Sequence, residues 1–114
     1  MSKQRAEIEP VRSLAFGSIS ASYATVGTPF VHASRIICFS NNTQGDVFFS
    51  RDGSTDELFV ASGSFKLFDI STNHRAANQS DLVFVKGTQW YVKQITAPTS
   101  GSVYIETIYV QPSA

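Results

Sequence analysis

The stretch RIICFSNNTQGDVFFS, residues 35–50, decides the fold class of this chain. Residues 36–39 are apolar at every position, which is typical of a strand in the centre of a sheet with both faces covered. Residues 41–46 are rich in Asn and Gly, which tolerate the positive φ angles of turns. Residues 46–50 form a second apolar run. The pattern predicts two β-strands joined by a turn and paired with each other as a hairpin.

Similar short apolar runs, separated by turn residues, recur along the rest of the chain. The turn signals come about every eight to twelve residues, which is typical of antiparallel sandwiches and small barrels. We therefore predict an all-β fold: a single antiparallel β-sandwich of jelly-roll or Greek-key type with about eight short strands. The further strands are expected near residues 11–16, 21–26, 58–60, 64–70, 81–86, 88–93 and 102–110.

The amino-acid composition supports an all-β chain. The 114 residues include 27 Val, Ile and Phe but only four Leu. β-Branched and aromatic side chains fit a pleated sheet, whereas Leu favours helices. The 16 Ser and nine Thr hydroxyls also compete with the hydrogen bonds of a helix. Helical structure is therefore expected at most as a single turn within residues 71–79, which otherwise form a loop.

The length of the chain is that of one domain. We expect residues 1–10 to form an N-terminal arm, residues 11–110 to form the sandwich, and residues 111–114 to form a C-terminal tail. The arm mixes charged residues with Ile8 and ends at Pro10, so we expect it to be ordered only where something receives it.

The charge balance excludes several kinds of partner. Nine basic residues cancel nine acidic ones, and charged residues make up 16% of the chain, below the roughly 25% that is usual. Binding to nucleic acid or to an anionic membrane needs a positive excess, so we expect neither partner. A surface this poor in charge predicts that neighbouring subunits cover part of it.

No pattern in the sequence predicts catalysis. Cys38 stands alone in an apolar strand, so a buried, unreactive thiol is expected there. His32 and His74 each lack a second metal ligand at the usual spacing. We therefore expect no enzyme, no catalytic residue, no metal site, no cofactor and no small-molecule substrate.

Three carboxylates around Gly53 raise the question of a calcium site. Asp52, Asp56 and Glu57 could bring several oxygens together, but their spacing lacks the carboxylate ladder of a helical calcium loop. We interpret residues 51–56 as a tight polar hairpin loop.

Aromatic residues and the arm supply the candidates for contact with other molecules. Trp90 and Tyr91 are adjacent on a predicted strand, so they point to opposite faces and one of them belongs to the core. Trp90, Tyr23 and Tyr104 could alternatively stack against sugar rings. The candidate interface residues are Lys3, Arg5, Glu7, Ile8, Phe68, Trp90 and Tyr104.

Three stretches resemble small structural proteins of tailed bacteriophages, found among the head, neck and tail proteins. They are LAFGSISASYATVGTPF (residues 14–30), NNTQGDVFFSRDGSTDELFVASGSFKLFD (residues 41–69) and KGTQWYVKQITAPTSGSVYIETIYV (residues 86–110). Together they cover about two-thirds of the chain. The similarity contains no catalytic motif, and no functional residue can be matched position by position.

This resemblance implies a non-enzymatic virion protein, made in the host cytoplasm and assembled in many copies. Its place would be the head-to-tail region (neck or collar), the tail or the capsid decoration. Its partners would be copies of itself, other phage virion proteins, or both. A different function class stays open: a carbohydrate-binding module or receptor-binding tip that recognises a bacterial surface glycan.

Overall fold

The computed structural model describes residues 3–70 and 84–113, of which residues 3–5 and 110–113 are described by their backbone. Within these ranges the chain is all-β, with one 3₁₀ turn at Phe16–Ser18 and no α-helix. No described helix is therefore long or apolar enough to cross a membrane. The strands are β1 Lys3–Ile8, β2 Arg12–Ala15, β3 Ala24–Thr25, β4 Ile36–Thr43, β5 Val47–Ser50, β6 Leu58–Val60, β7 Phe65–Asp69, β8 Tyr91–Gln94 and β9 Gly101–Ser113.

The described strands form two antiparallel sheets, which confirms the predicted β-sandwich. The five-stranded sheet has the order β1-β9-β4-β7, and β2 also pairs with β9. The four-stranded sheet has the order β3-β8-β5-β6. Strand β4 lies between β9 and β7, so the apolar run at residues 36–39 does mark a central strand.

The core lies between the two sheets and is built by strict alternation along each strand. From the five-stranded sheet, Ile37 and Phe39 of β4 point inward and are buried. From the other sheet, Phe49 packs on Phe39 with ring centroids 5.1 Å apart. Trp90 meets the same Phe39 ring edge-on at 4.7 Å, so it is the core member of the adjacent Trp90 and Tyr91 pair.

The predicted hairpin of β4 with β5 is wrong. Strand β5 pairs with β6 and β8 in the four-stranded sheet, whereas β4 pairs with β7 and β9 in the other. The turn at residues 44–46 therefore carries the chain from one sheet to the other. Strand β4 also runs on to Thr43, so Asn41 and Asn42 belong to the strand and not to the turn.

The buried side-chain amide of Asn41 fixes this change of sheet. Its Nδ2 donates hydrogen bonds to the carbonyl oxygens of Gly45, at 2.8 Å, and of Val60, at 3.0 Å. Its Oδ1 accepts from the backbone N–H and the hydroxyl of Thr43. The amide therefore joins the β4–β5 connection to the end of β6, where the chain is about to return to the five-stranded sheet.

The backbone of Asn41 is hydrogen-bonded to the connection that leads from β6 back to β7. Its N–H donates to the carbonyl of Ser64 at 2.9 Å, and its carbonyl accepts from the N–H of Gly63 at 2.8 Å. Two of the connections between the sheets, β4 to β5 and β6 to β7, are thus hydrogen-bonded to one residue.

Gly101 begins β9 at the same end of the sandwich. Its φ is +87°, a region that side chains with a Cβ rarely adopt, and a Cβ there would collide with the carbonyl of Asn42. Glycine is therefore required at the position where the pairing of β9 with β4 begins.

Several predicted segments differ from the structure in extent. The strand expected at residues 21–26 is reduced to Ala24–Thr25, and the one expected at residues 88–93 begins at Tyr91. The helical turn considered at residues 71–79 and the start of the strand expected at residues 81–86 lie outside the described residues. From the latter segment, Phe84 forms an isolated bridge with Ser34.

The two ends of the chain pair with each other in the described part. Strand β1 runs antiparallel to the end of β9, from Ile8 opposite Ile108 to Lys3 opposite Ser113. The N-terminal segment therefore pairs with β9 of the same chain. The division into an arm of residues 1–10, a sandwich and a tail of residues 111–114 stays a prediction.

We predict that Asn41→Ala lowers the free energy of unfolding by about 2–4 kcal/mol, because it leaves several buried backbone groups without partners. The matched control is Asn42→Ala, one residue along the same strand but exposed, with an expected loss of at most about 0.5 kcal/mol. Urea denaturation measures both values. Equal losses for the two variants would show that the amide does not hold the connections together.

Candidate interaction surface

The outer face of the five-stranded sheet is a candidate contact surface. Because Ile37 and Phe39 point into the core, their neighbours Ile36 and Cys38 point outward, and the strand register places further residues beside them. We call the resulting set the outer face. Its larger members are Ile8, Ile36, Cys38, Phe65, Leu67, Tyr104, Glu106 and Ile108, and the polar residues Ser13, Ser40, Asn42, Asp69 and Ser102 share the same side.

Large apolar side chains of the outer face are exposed, because no described element covers them. Ile8 is 72% exposed, Phe65 65% and Leu67 58%. A groove of about 180 Å³ runs between Ile8 and Leu67, lined chiefly by Ile36, Cys38 and Ile108. Clustered apolar exposure of this kind marks surfaces that contact other molecules.

Strand β7 continues this surface to the edge of the sheet. Its sequence, with apolar residues on both faces, predicts contact with protein on both sides, but all five residues are exposed. Within the described residues that prediction is wrong for the outer side, where nothing covers Phe65 and Leu67, whereas Phe68 on the inner side packs against Phe39. Strand β7 is also the last strand of its sheet and pairs only with β4. An edge strand with exposed apolar side chains is a ready template for another chain.

A cavity of about 210 Å³ opens on the inner side of β7. Its apolar lining consists of Phe39, Leu58, Phe68, Phe84 and Trp90. The ion pair of Arg51 and Glu57 forms the polar part of the lining. Phe68 packs edge-on against Phe39 with centroids 6.0 Å apart.

The predicted interface residues fall into four groups. Ile8 and Tyr104 lie on the outer face, and Phe68 lies at the edge strand beside the cavity. Trp90 is only 5% exposed and belongs to the core. The charged residues Lys3, Arg5 and Glu7 lie along β1. The structure thus brings Ile8 and Tyr104 onto one surface and separates the others from it; their role as interface residues stays a prediction.

The three rings considered for sugar stacking lie in three different parts of the molecule. Trp90 is inside the sandwich, and Tyr104 is on the outer face of the five-stranded sheet. Tyr23 lies beside Lys93 near the four-stranded sheet, and its hydroxyl donates to the carboxylate of Asp56 at 2.6 Å. Burial and that hydrogen bond raise the pKa of the Tyr23 phenol. These rings therefore do not form a common platform.

A buried ionic cluster centred on Glu9 lies where β1 ends. One carboxylate oxygen accepts a hydrogen bond from Nη2 of Arg12 at 2.7 Å. The other accepts from the backbone N–H of His32 at 2.7 Å and lies 2.9 Å from Nδ1 of the same histidine. The His32 ring stacks on Tyr109 of β9 with centroids 3.8 Å apart. The cluster therefore ties the end of β1 to β2, to the loop at His32 and to β9.

Glu9 is held in its ionised form. Burial alone would raise the pKa of its carboxyl, but the hydrogen bonds from Arg12, His32 and the backbone N–H of Val31 outweigh burial and lower that pKa. Sequence reasoning missed this cluster because it assigned Glu9 to the arm. The three-residue spacing of Glu9 and Arg12 was its only local signal, since 23 residues separate Glu9 from His32.

The three carboxylates near Gly53 each have a different partner. Asp52 accepts hydrogen bonds from backbone N–H groups of its own loop, which lower its pKa. Glu57 pairs with Arg51 at 2.7 Å, and Asp56 pairs with Lys93 at 2.9 Å. The segment joins β5 to β6, so the predicted polar hairpin loop is confirmed.

The other side chains that could take part in catalysis or metal binding do not form a cluster in the described part of the chain. Cys38 is half-buried on the outer face, so the expectation of a buried thiol is wrong, because nothing described covers that side of β4. His32 is engaged with Glu9, and His74 lies outside the described residues. In the described ranges, no three His, Cys, Asp or Glu side chains converge in an arrangement that could hold a metal ion.

A solved structure shares this architecture. Neither a protein-family model nor a curated protein matches the sequence. A chain of the cyanophage Pam1 capsid asymmetric unit is similar over 97% of this chain and 86% of its own, with a TM-score of 0.51 and 14% identity. The predicted resemblance to phage structural proteins is thus confirmed at the level of the fold.

A second solved structure shows a weaker likeness. The Dit protein (gp 19.1) of phage SPP1, described as a paradigm of the hub adsorption apparatus in phages that infect Gram-positive bacteria, has a TM-score of 0.42 and 13% identity. The similarity covers 91% of this chain but 49% of Dit, so this chain spans about half of that protein's length.

We predict that acid destabilises the protein and that Glu9 contributes to this. The pKa of Glu9 is lower in the folded state than its ordinary value of 4.5, so its stabilisation is present above about pH 4.5 and is lost as the pH falls through the folded pKa. Glu9→Gln should cost about 2–4 kcal/mol at pH 7, because Arg12 stays buried without its anion. Between pH 7 and pH 3 the variant should lose less stability than the wild type.

Urea unfolding at several pH values checks this, with the exposed Glu106→Gln as the control. Glu9→Gln should retain part of the acid sensitivity, since the pKa values of Asp52, Asp56 and Glu57 are also lowered. A Glu9→Gln profile parallel to that of the wild type would contradict the assignment.

Proposed function

We propose that this chain is a non-enzymatic structural protein of a tailed-bacteriophage virion, where it is present in many copies. The observation that carries the proposal is the apolar outer face together with the exposed edge strand β7. The fold shared with a chain of the cyanophage Pam1 capsid asymmetric unit supports it. Within the particle, the proposed places are the neck or collar, the tail and the capsid decoration.

The energetics favour burial of the outer face in an assembly. Removing apolar surface from water contributes roughly 25 cal/mol per Å². Phe65, Leu67 and Ile8 leave most of their side-chain area in water in the isolated chain. When a neighbouring subunit covers these side chains, the association gains this free energy. Strand β7 can add main-chain hydrogen bonds across the same contact.

The proposed partners are other copies of the chain, other virion proteins, or both. Nucleic acid, membranes and small-molecule substrates are not among the proposed partners, because the formal net charge is zero and the sequence contains no catalytic motif. A glycan-binding role is the competing function class, and the experiment below includes it as an outcome.

We predict that the purified wild-type chain forms multi-copy species and that Phe65→Ser with Leu67→Ser weakens them. Both side chains are exposed, so the double variant should keep the stability of the fold to within about 1 kcal/mol. Native mass spectrometry measures the copy number, and circular dichroism checks the fold.

The control replaces two exposed apolar residues that lie outside the outer face, Val85→Ser and Ile95→Ser, and should leave the copy number unchanged. A wild-type chain that stays monomeric at every concentration and binds a glycan on an array would overturn the proposal in favour of a carbohydrate-binding module. Equal loss of assembly in both double variants would show that the outer face is not the contact surface.

A further inference from the structure

The groove on the outer face contains a carboxylate. Among the described residues that line its volume of about 180 Å³, Glu106 is the one acidic or basic residue, and the others are Ile8, Ile36, Cys38, Leu67, Thr107 and Ile108. The strand register places Glu106 directly opposite Cys38, with Leu67 next in the same row. The carboxylate of Glu106 therefore stands beside the apolar side chains whose burial the proposed function requires.

Glu106 has no counter-ion within the described part of the chain. Its side chain is exposed, and no described group forms a hydrogen bond or an ion pair with its carboxylate. Two charged residues, Glu106 and Asp69, occupy outward positions of the described strands of this sheet, and both are acidic. The basic residues Arg12 and Lys66 occupy inward positions of β2 and β7. The outer face thus carries negative charge and no positive charge to balance it.

Burial of the Glu106 carboxylate requires a group that binds it. An ionised carboxylate that loses its water without gaining a cation or hydrogen-bond donors costs more free energy than a neighbouring apolar side chain gains on burial. Two copies that met through their outer faces would bury the acids of both and supply no base. A surface that carries a cation is therefore the better cover for this face.

We propose that a second copy of this chain inserts a lysine or arginine side chain into this groove. The aliphatic part of that side chain lies against Ile36 and Ile108, and its charged group meets the carboxylate of Glu106. Both types of side chain bury their methylene groups on apolar surface while the charge stays at its edge. Lys66 is exposed and pairs with no described carboxylate, so a second copy has a cation to supply.

The contact is therefore heterologous: the outer face of one copy meets a different surface of the next copy. Repetition of such a contact builds rings or filaments of many copies, whereas a contact between two outer faces would stop at a dimer. The inference rests on the proposed function in that it names the chemistry that the outer face binds.

The first test reads the direction of the change that one substitution causes. Glu106→Gln keeps the size of the side chain and removes its charge, so it should weaken self-association by about threefold or more, because the inserted cation loses its partner. Glu106→Lys should weaken it by about tenfold or more. Sedimentation equilibrium measures the dissociation constants. Thermal unfolding of the dilute variants, which should match the wild type, checks the fold.

The control for net charge is Glu57→Gln. It changes the charge of the chain by the same amount, but Glu57 lies in the connection between β5 and β6 and not on the outer face. This variant should keep the wild-type dissociation constant. Raising the salt concentration should weaken the association of the wild type more than that of Glu106→Gln, because salt screens the proposed ion pair.

The second test does not require self-association. The probe is n-butylammonium, which has the structure of a lysine side chain, and n-butanol is the neutral molecule of the same chain length. In NMR spectra of the dilute chain, n-butylammonium should shift the amide signals of Ile36, Cys38 and Ile108, and it should bind about threefold or more tightly than n-butanol. Glu106→Gln should remove this preference.

The outcomes separate this inference from the proposed function. If Glu106→Gln associates more tightly than the wild type, the surface that covers the groove brings no cation and the inference is wrong, whereas the structural role stands. An unchanged dissociation constant also overturns the inference, because the groove then lies outside the contact. Equal binding of the two probes overturns the inference alone, and a wild type that is monomeric throughout overturns both.

Discussion

The fold depends on one buried amide, because the chain changes sheets twice beside it. The side chain of Asn41 holds the carbonyls of Gly45 and Val60, and its backbone holds Gly63 and Ser64. An amide has two donor hydrogens and an acceptor oxygen, and here all of them are used inside the protein. A residue of similar size without that pattern of groups would bury the same polar backbone atoms with nothing to bind them.

This constraint also explains why one side of β4 has no cover in the described part of the chain. Once β4 is fixed between β9 and β7, its alternate residues must point to opposite sides, and the second sheet can cover only one of them. The run at residues 36–39 is apolar on both sides all the same. Its outward residues, Ile36 and Cys38, are of the kind that belongs in a protein interior, which agrees with the proposed burial of this face in an assembly.

The sequence predicts the strands well but not their partners. Alternation and turn residues identify β4, β5 and β7, yet they say nothing about which strand lies beside which, so β5 was assigned to the wrong sheet. Asparagine is typical of turns, so the sequence places Asn41 in one. Only the three-dimensional structure shows that its side-chain amide is hydrogen-bonded to two connections between the sheets. Likewise, periodicity cannot tell an apolar face covered by the same chain from one left exposed, which is why β7 was expected to be covered.

The buried cluster at Glu9 connects stability to assembly. A free arm that becomes ordered on binding loses conformational entropy at that moment, which weakens the contact. Here β1 is already extended along β9, and its end is fixed by Glu9, Arg12 and His32. The segment therefore loses its conformational freedom when the chain folds and not on contact with a partner. The ion cluster thus makes β1 a fixed part of the surface that the sheet offers to other molecules.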